Sequence, residues 1–167
     1  ALSCEKATSL MIAAEIAAAM SIEALRGATG AFHAGVHRLR PYPGAIATAA
    51  NLRALMAGSS LTDSVPGKVQ DAYSLRCTPQ VLGAARDALR YVCAQVSVEL
   101  NAATDNPLIL LDEASDNKAF SAGLFHGEPV GIPMDVLKIA VAEIASISER
   151  RLYRLTTGSL SGRLPPA

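Results

Sequence analysis

Gln70, Tyr73 and Arg76 stand three residues apart inside the run Val69 to Cys77, so one helical or 3₁₀-like turn would aim all three side chains the same way. Their chemistry is complementary. A guanidinium offers a fixed fork of donors that matches a carboxylate, a phenol donates or accepts a proton, and a carboxamide orients a neighbour. A small carboxylic acid is the ligand for such a set. The bland reading of Arg76 is an ion pair with a local carboxylate such as Asp71, and that of Tyr73 is a core residue with a satisfied hydroxyl.

The elements that must position these residues are mostly helices. Cys4 to about Arg26 reads as one helix with Leu10, Ala14, Ala17, Ala18 and Ile22 or Leu25 on its apolar face, ending at Gly27. A looser segment is expected from Gly27 to Gly44, where two prolines and a glycine in Arg40 to Gly44 forbid a continuous helix, and a second helix from Ala45 to Ala57. Gly58 to Gly67 is flexible by composition and would present the Gln70 to Arg76 segment on a loop. Thr78 as N-cap and Pro79 as first helical residue start a long helix to about Asn101, with Val81, Ala85, Leu89, Val92, Val96 and Leu100 on one stripe. Leu108 to Leu111 and Ala119 to Ala122 flank a polar turn from Asp112 to Asn117, the pattern of a small hairpin. Pro133 is expected to open a last long helix carrying Leu137, Ala140, Val141, Ile144 and Ile147, with Gly158 as its stop. The fold class is therefore mainly all-α, a long-helix bundle with a β-hairpin insertion and no internal domain boundary across residues 1–167.

Composition narrows the partners. Fifteen basic residues balance fifteen acidic ones, which leaves no electrostatic footprint for nucleic acid or an anionic membrane. Glu15 and Glu23 interrupt the Ala-rich first segment and no basic region precedes it, so it reads as a soluble helix rather than a membrane or signal segment. Cys4, Cys77 and Cys93 are odd in number and lack ligand spacing, which favours reduced thiols in the cytoplasm. His33 and His37 lie four apart but have no third ligand in view, so no metal site is expected. The start at Ala1 and the closing turn Leu164 to Ala167 read as cut ends of a longer polypeptide, whose bare helical faces would be covered by an obligate partner or a second copy.

Beyond these residues, RPYPG (40–44), VQDAYSLRC (69–77), PQVLGA (79–84), ELNAATDNPL (99–108), LFHGEP (124–129), SERR (148–151) and LPP (164–166) occur in an order that closely resembles the histidine and aromatic amino-acid ammonia-lyase family. The resemblance spans nearly the whole chain. It implies a helical-bundle homotetramer with shared active sites that eliminates ammonia from an α-amino acid. The electrophile in that family is a methylidene-imidazolone (MIO) ring formed from an Ala-Ser-Gly tripeptide, which does not occur in these 167 residues and would lie upstream. By resemblance, Arg76 and Asn106 would bind the substrate carboxylate, Tyr73 would serve as acid/base or orienting hydroxyl, Gln70 would orient the network, and Phe125 would pack on the ring or the substrate side chain.

The structural alternatives are a turn former for Asn106 and a packing residue for Phe125, roles that can coexist with the functional ones. Phe125-His126-Gly127-Glu128-Pro129 leans towards histidine as substrate, with His126 either a substrate contact or a hydrogen-bonded structural histidine. Leu124, Ala72 and the run Thr156 to Ser159 depart from the usual histidine-lyase pattern. Tyrosine or phenylalanine lyases and aminomutases therefore stay open, as does a non-catalytic helical module that keeps the fold without the chemistry.

Overall fold

Five helices of thirteen residues or fewer and three much longer ones, counting a single 3₁₀ turn among the short, make up most of the computed structural model, which describes residues 1–112, 114, 118–162 and 164. Helix α1 (Leu2–Ala24) is followed by the 3₁₀ turn Thr29–Phe32 and by α2 (Ala34–Arg38) and α3 (Pro43–Leu55). One-turn α4 (Tyr73–Arg76) precedes α5 (Thr78–Glu99), then come strands β1 (Leu108–Ile109) and β2 (Ala119–Phe120), α6 (Glu128–Thr156) and α7 (Gly158–Ser161). The expected bundle with a hairpin is what forms: α5 packs against α1, α3 and α6, and β1 pairs antiparallel with β2 in the register Leu108 to Phe120. Most of the expected polar turn, and Pro165 to Ala167 of the closing segment, lie outside the described residues.

Small residues set how closely the helices approach. A Cβ on Gly44 would lie 2.1 Å from the Gly83 carbonyl oxygen, and one on Gly83 would lie 2.4 Å from the Ala45 nitrogen, so α3 and α5 meet backbone to backbone. Asp87 of α5 uses the same approach, accepting the orphan Gly44 N–H at 3.1 Å at the start of α3. Gly83→Ala must push two backbones apart. It is expected to cost about 2–3 kcal/mol, seen as a lowered denaturant midpoint of the full-length protein.

α1 is apolar nearly all round, so its sequence carries no phase for the buried stripe. The structure buries Cys4, Ala7, Met11, Ala14, Glu15, Ala18 and Ile22, whereas Leu10 and Ala17, expected inside, are exposed. By length and composition α1 passes as a candidate membrane span, yet it is packed here as a core helix. Glu15 explains the arrangement: its buried carboxylate accepts from Thr48 Oγ1 at 2.6 Å and Asn51 Nδ2 at 2.7 Å on α3, and pairs with Arg86 Nη2 at 2.6 Å on α5. One charge thus ties three helices together.

The ends of helices differ from the expectations in several places, and α3 already opens at Pro43, where a proline at the first turn needs no N–H partner, and closes at Leu55. Arg26, not Gly27, takes the left-handed position after α1 (φ 52°), with Arg26 N–H on the Glu23 carbonyl and Gly27 N–H on that of Ile22. Thr78 is not an N-cap: it is the first residue of α5, with Cys77 before it, and its hydroxyl donates back to the Ser74 carbonyl at 3.3 Å. Pro133 lies inside α6 rather than at its start, because Pro129 already occupies the opening turn where no N–H is needed. Gly158 begins α7 instead of terminating α6, which ends at Thr156.

The stripes of α5 and α6 are buried as expected at Ala85, Leu89, Val92, Val96, Leu137, Ala140, Ile144 and Ile147, although Leu100 is exposed. Met20 on α1 and Ile139 on α6 remain bare, each 65% exposed. Apolar surface of this kind is what the composition led one to expect of the chain by itself.

Candidate active site

Two carboxylates fasten the loop that carries the site, which is therefore not the flexible connector its composition implies. Asp63 accepts from Thr29 N–H at 2.8 Å and Thr29 Oγ1 at 2.6 Å, while its own N–H donates to the Gly27 carbonyl at 3.0 Å. Asp71 accepts from Ala28 N–H at 2.6 Å and pairs with Lys68, whose ammonium also donates to the Arg26 carbonyl at 2.9 Å. Leu75, 1% exposed, sinks the middle of α4 into the core. The loop end and the helical turn are thereby held against the end of α1.

On this support Gln70, Tyr73 and Arg76 come together, though only Tyr73 and Arg76 share the helical turn and Gln70 lies in the extended loop before it. Arg76 Nη1 donates to Gln70 Oε1, and the Arg76 guanidinium carbon stands 4.8 Å from the centre of the Tyr73 ring. Asp71 is engaged elsewhere, so the local ion pair with Arg76 does not form. Among the described residues the other Arg76 N–H groups and the Tyr73 hydroxyl have no hydrogen-bond partner, and Tyr73 is 72% exposed. Beside Tyr73 a groove of about 530 Å³ runs between α4, α5 and α6, lined by Cys77, Val81, Ile147, Arg150 and Tyr153.

Asn106 and Phe125 belong to the hairpin segment and have no hydrogen bond, ion pair or ring contact with Gln70, Tyr73 or Arg76 among the described residues. Asn106 closes the base of the hairpin: its Nδ2 donates to the Ala122 carbonyl at 2.7 Å and its Oδ1 accepts from Ala122 N–H at 2.8 Å. The structural role anticipated for it is thus present. Phe125 is 62% exposed, and His126 Nδ1 accepts from Glu128 N–H at 3.3 Å at the start of α6. His33 and His37 diverge. His33 caps α2 by accepting from Gly35 N–H, and buried His37 lies 3.2 Å from the Ala31 carbonyl. Among the described residues no group of three His, Cys, Asp or Glu gathers in a way that could hold a metal ion. Burial, then the adjacent Cys4 thiol, pushes the Cys93 thiol up, and all three cysteines are free.

The sequence profile of the aromatic amino acid lyases matches residues 1–167. The chain belongs to the aromatic amino acid lyase family. It is 48% identical over 163 residues to histidine ammonia-lyase of Chloroflexus aurantiacus and 51% identical over 162 residues to that of Geobacillus kaustophilus, covering 97% and 96% of this chain. In both cases the chain spans 31% of the relative's length. Its fold superposes with a TM-score of 0.90 on tyrosine aminomutase of Streptomyces globisporus, at 38% identity over 99% of this chain and 35% of that one. The corresponding values for histidine ammonia-lyase of Trypanosoma cruzi are 0.86, 40%, 98% and 29%.

Within this lyase-family chain, the supporting roles of Asp63, Lys68 and Asp71 are not legible in the sequence, since their partners on residues 26–29 are more than thirty positions away. Asp71 stood in view only as a candidate partner for Arg76. Arg151 of SERR likewise carries no local signal beyond its motif. It is 2% exposed, donates to Ser148 Oγ at 3.1 Å and has no partner for Nη1 among the described residues, and burial pushes its pKa down to about 10. A cation so lowered costs stability at every pH below that value, and the cost fades only as pH rises past it. Arg151→Met keeps much of the volume without the charge. It is expected to leave the melting temperature unchanged or to raise it by a few degrees; a drop of ten degrees would show that another segment pairs with Arg151.

Proposed function

We propose that this chain is the central portion of a histidine ammonia-lyase and forms the carboxylate-binding wall of its active site. The observation that carries the reading is Arg76, braced by Gln70 above the Tyr73 ring with most of its donors uncommitted, in a lyase-family chain about half identical to histidine ammonia-lyases. Histidine is favoured over tyrosine or phenylalanine because those relatives are closer in identity than the aminomutase, and because Phe125-His126-Gly127-Glu128-Pro129 leans the same way. The non-catalytic module has nothing in its favour, since the whole residue set is present.

Each residue has a task that suits its chemistry. Arg76 binds the α-carboxylate through parallel N–H donors, and Gln70 holds the guanidinium at the needed angle. Asn106 retains one amide hydrogen beyond its hairpin bonds, enough for a second donor to the carboxylate. The Tyr73 hydroxyl is the group that moves a proton at the substrate's β-carbon, and Phe125 covers the side chain and excludes water. The wall is open and presents Tyr73 and Phe125 to solvent, which fits a methylidene-imidazolone ring carried by a different segment. When bound, that group supplies the electrophile that makes the substrate's amine a leaving group.

The same reading places the active protein as a cytoplasmic homotetramer with shared sites, acting on a small amino acid and holding neither nucleic acid nor membrane. Ultraviolet assay of the full-length polypeptide against histidine, tyrosine and phenylalanine tests it. Urocanate formation from histidine is expected, and exclusive turnover of an aromatic amino acid would replace the substrate assignment.

A further inference from the structure

We propose that Asp71 is a positioning residue for the proposed lyase reaction, holding Gln70 and Tyr73 in register with Arg76; the kinetic part of the claim rests on the function proposed above. α4 is a single turn whose N-cap, Ala72, has no side-chain acceptor, so neither length nor capping defines where it begins. What defines it is the residue just before. Asp71 lies between Gln70 and Tyr73, and its side chain is only 4% exposed. It accepts from Ala28 N–H at 2.6 Å and pairs with Lys68, and Lys68 reaches on to the Arg26 carbonyl at 2.9 Å.

The far side of this network is itself tied down by hydrogen bonds. Arg26 occupies the left-handed turn that ends α1, and its guanidinium Nε donates to Ser64 Oγ at 2.8 Å. Gly27 lets the chain turn tightly against the end of α1, where a Cβ would stand 2.5 Å from Ile22 Cγ2. A buried carboxylate with satisfied partners has one low-energy location, because any shift strips charge-assisted bonds in a low dielectric. The backbone of residue 71 is therefore an anchor point, from which Gln70 leaves in one direction and Tyr73 in the other. Arg76 has a separate anchor in buried Leu75 and in α5, which begins two residues later.

This division makes a distinctive prediction. In the full-length protein, Asp71→Asn and the neutral pair Lys68→Met with Asp71→Asn are expected to lower kcat per folded molecule at least tenfold, with a smaller rise in KM as Gln70 loosens its hold on Arg76. Carboxylate binding stays with Arg76, whereas the proton-moving hydroxyl loses its fixed place. Hydrogen exchange of the amides from 69 to 76 is expected to quicken at least tenfold, with the middle of α5 unchanged. The neutral pair guards against loss of folding from an unpaired buried lysine. Unchanged exchange in 69–76 overturns the anchor whatever the protein catalyses, and so does kcat per folded molecule within twofold of wild type, the whole loss being accounted for by the unfolded fraction. Wild-type protein that does not act on histidine refutes the substrate reading instead, and leaves the exchange result to judge Asp71.

Discussion

Arg76→Ala in the full-length polypeptide is expected to cut kcat/KM for the amino-acid substrate about 10²- to 10⁴-fold. A bidentate carboxylate clamp comprises two charge-assisted hydrogen bonds of roughly 1.5–3 kcal/mol each, and about 1.4 kcal/mol corresponds to a factor of ten. Gln70 suffers too, since its Oε1 accepts from the guanidinium that the substitution removes. The carboxylate is bound in ground state and transition state alike, so most of the loss belongs in KM, with kcat falling about tenfold or less. Arg76→Lys keeps the charge but not the fork and should recover only part of the affinity. Steady-state kinetics on the purified variants decides the matter: unchanged KM in Arg76→Ala removes the clamp from the proposed mechanism. Folding is a minor concern, because Arg76 has no described partner besides Gln70 and the Tyr73 ring.

Glu15→Ala should be the most damaging single change to stability, at about 3–5 kcal/mol. That is the usual consequence of removing one partner from a buried ion pair and leaving the other charge uncompensated. Here the loss strands Arg86, whose buried Nε already lacks a partner, and it also unbonds Thr48 Oγ1 and Asn51 Nδ2. Three helices lose their common tie at once. Denaturant unfolding of the full-length protein provides the measurement, and a midpoint within experimental error of wild type would mean that the network is held by packing alone. Two companions sharpen the test. Glu15→Gln preserves an acceptor and should lose less, about 1–3 kcal/mol, whereas Glu15→Leu combined with Arg86→Met replaces the pair with apolar volume and should recover much of the loss.

The stripes of α5 and α6 were legible because each repeats at helical period beside polar residues, so spacing alone says which face turns inward. α1 shows the converse. Its apolar residues are spread over every face, so more than one face would serve, and the burial of Met11 rather than Leu10 goes with Glu15 finding Thr48, Asn51 and Arg86. Helix ends were read with similar limits. The glycine after α1 was visible, but the left-handed residue is Arg26, and Gly27 is instead the position where a Cβ would run into Ile22 Cγ2 at 2.5 Å.

For the site, residue types and spacing alone named Gln70, Tyr73 and Arg76 and the small acid they suit, since a fork of donors, a phenol and an amide each carry their chemistry locally. Motif order then pointed to an ammonia-lyase, and the match over all 167 residues bears out the family. What the sequence left open was whether Arg76 would be consumed by Asp71. Only the tertiary structure could answer, because the groups competing for Asp71 are the Ala28 N–H, 43 positions away, and Lys68 turned towards the end of α1. Once the carboxylate is buried there, the guanidinium keeps its free donors. Local chemistry determined what a guanidinium, a phenol and an amide could bind, and long-range hydrogen bonding decided that Arg76 keeps its donors uncommitted.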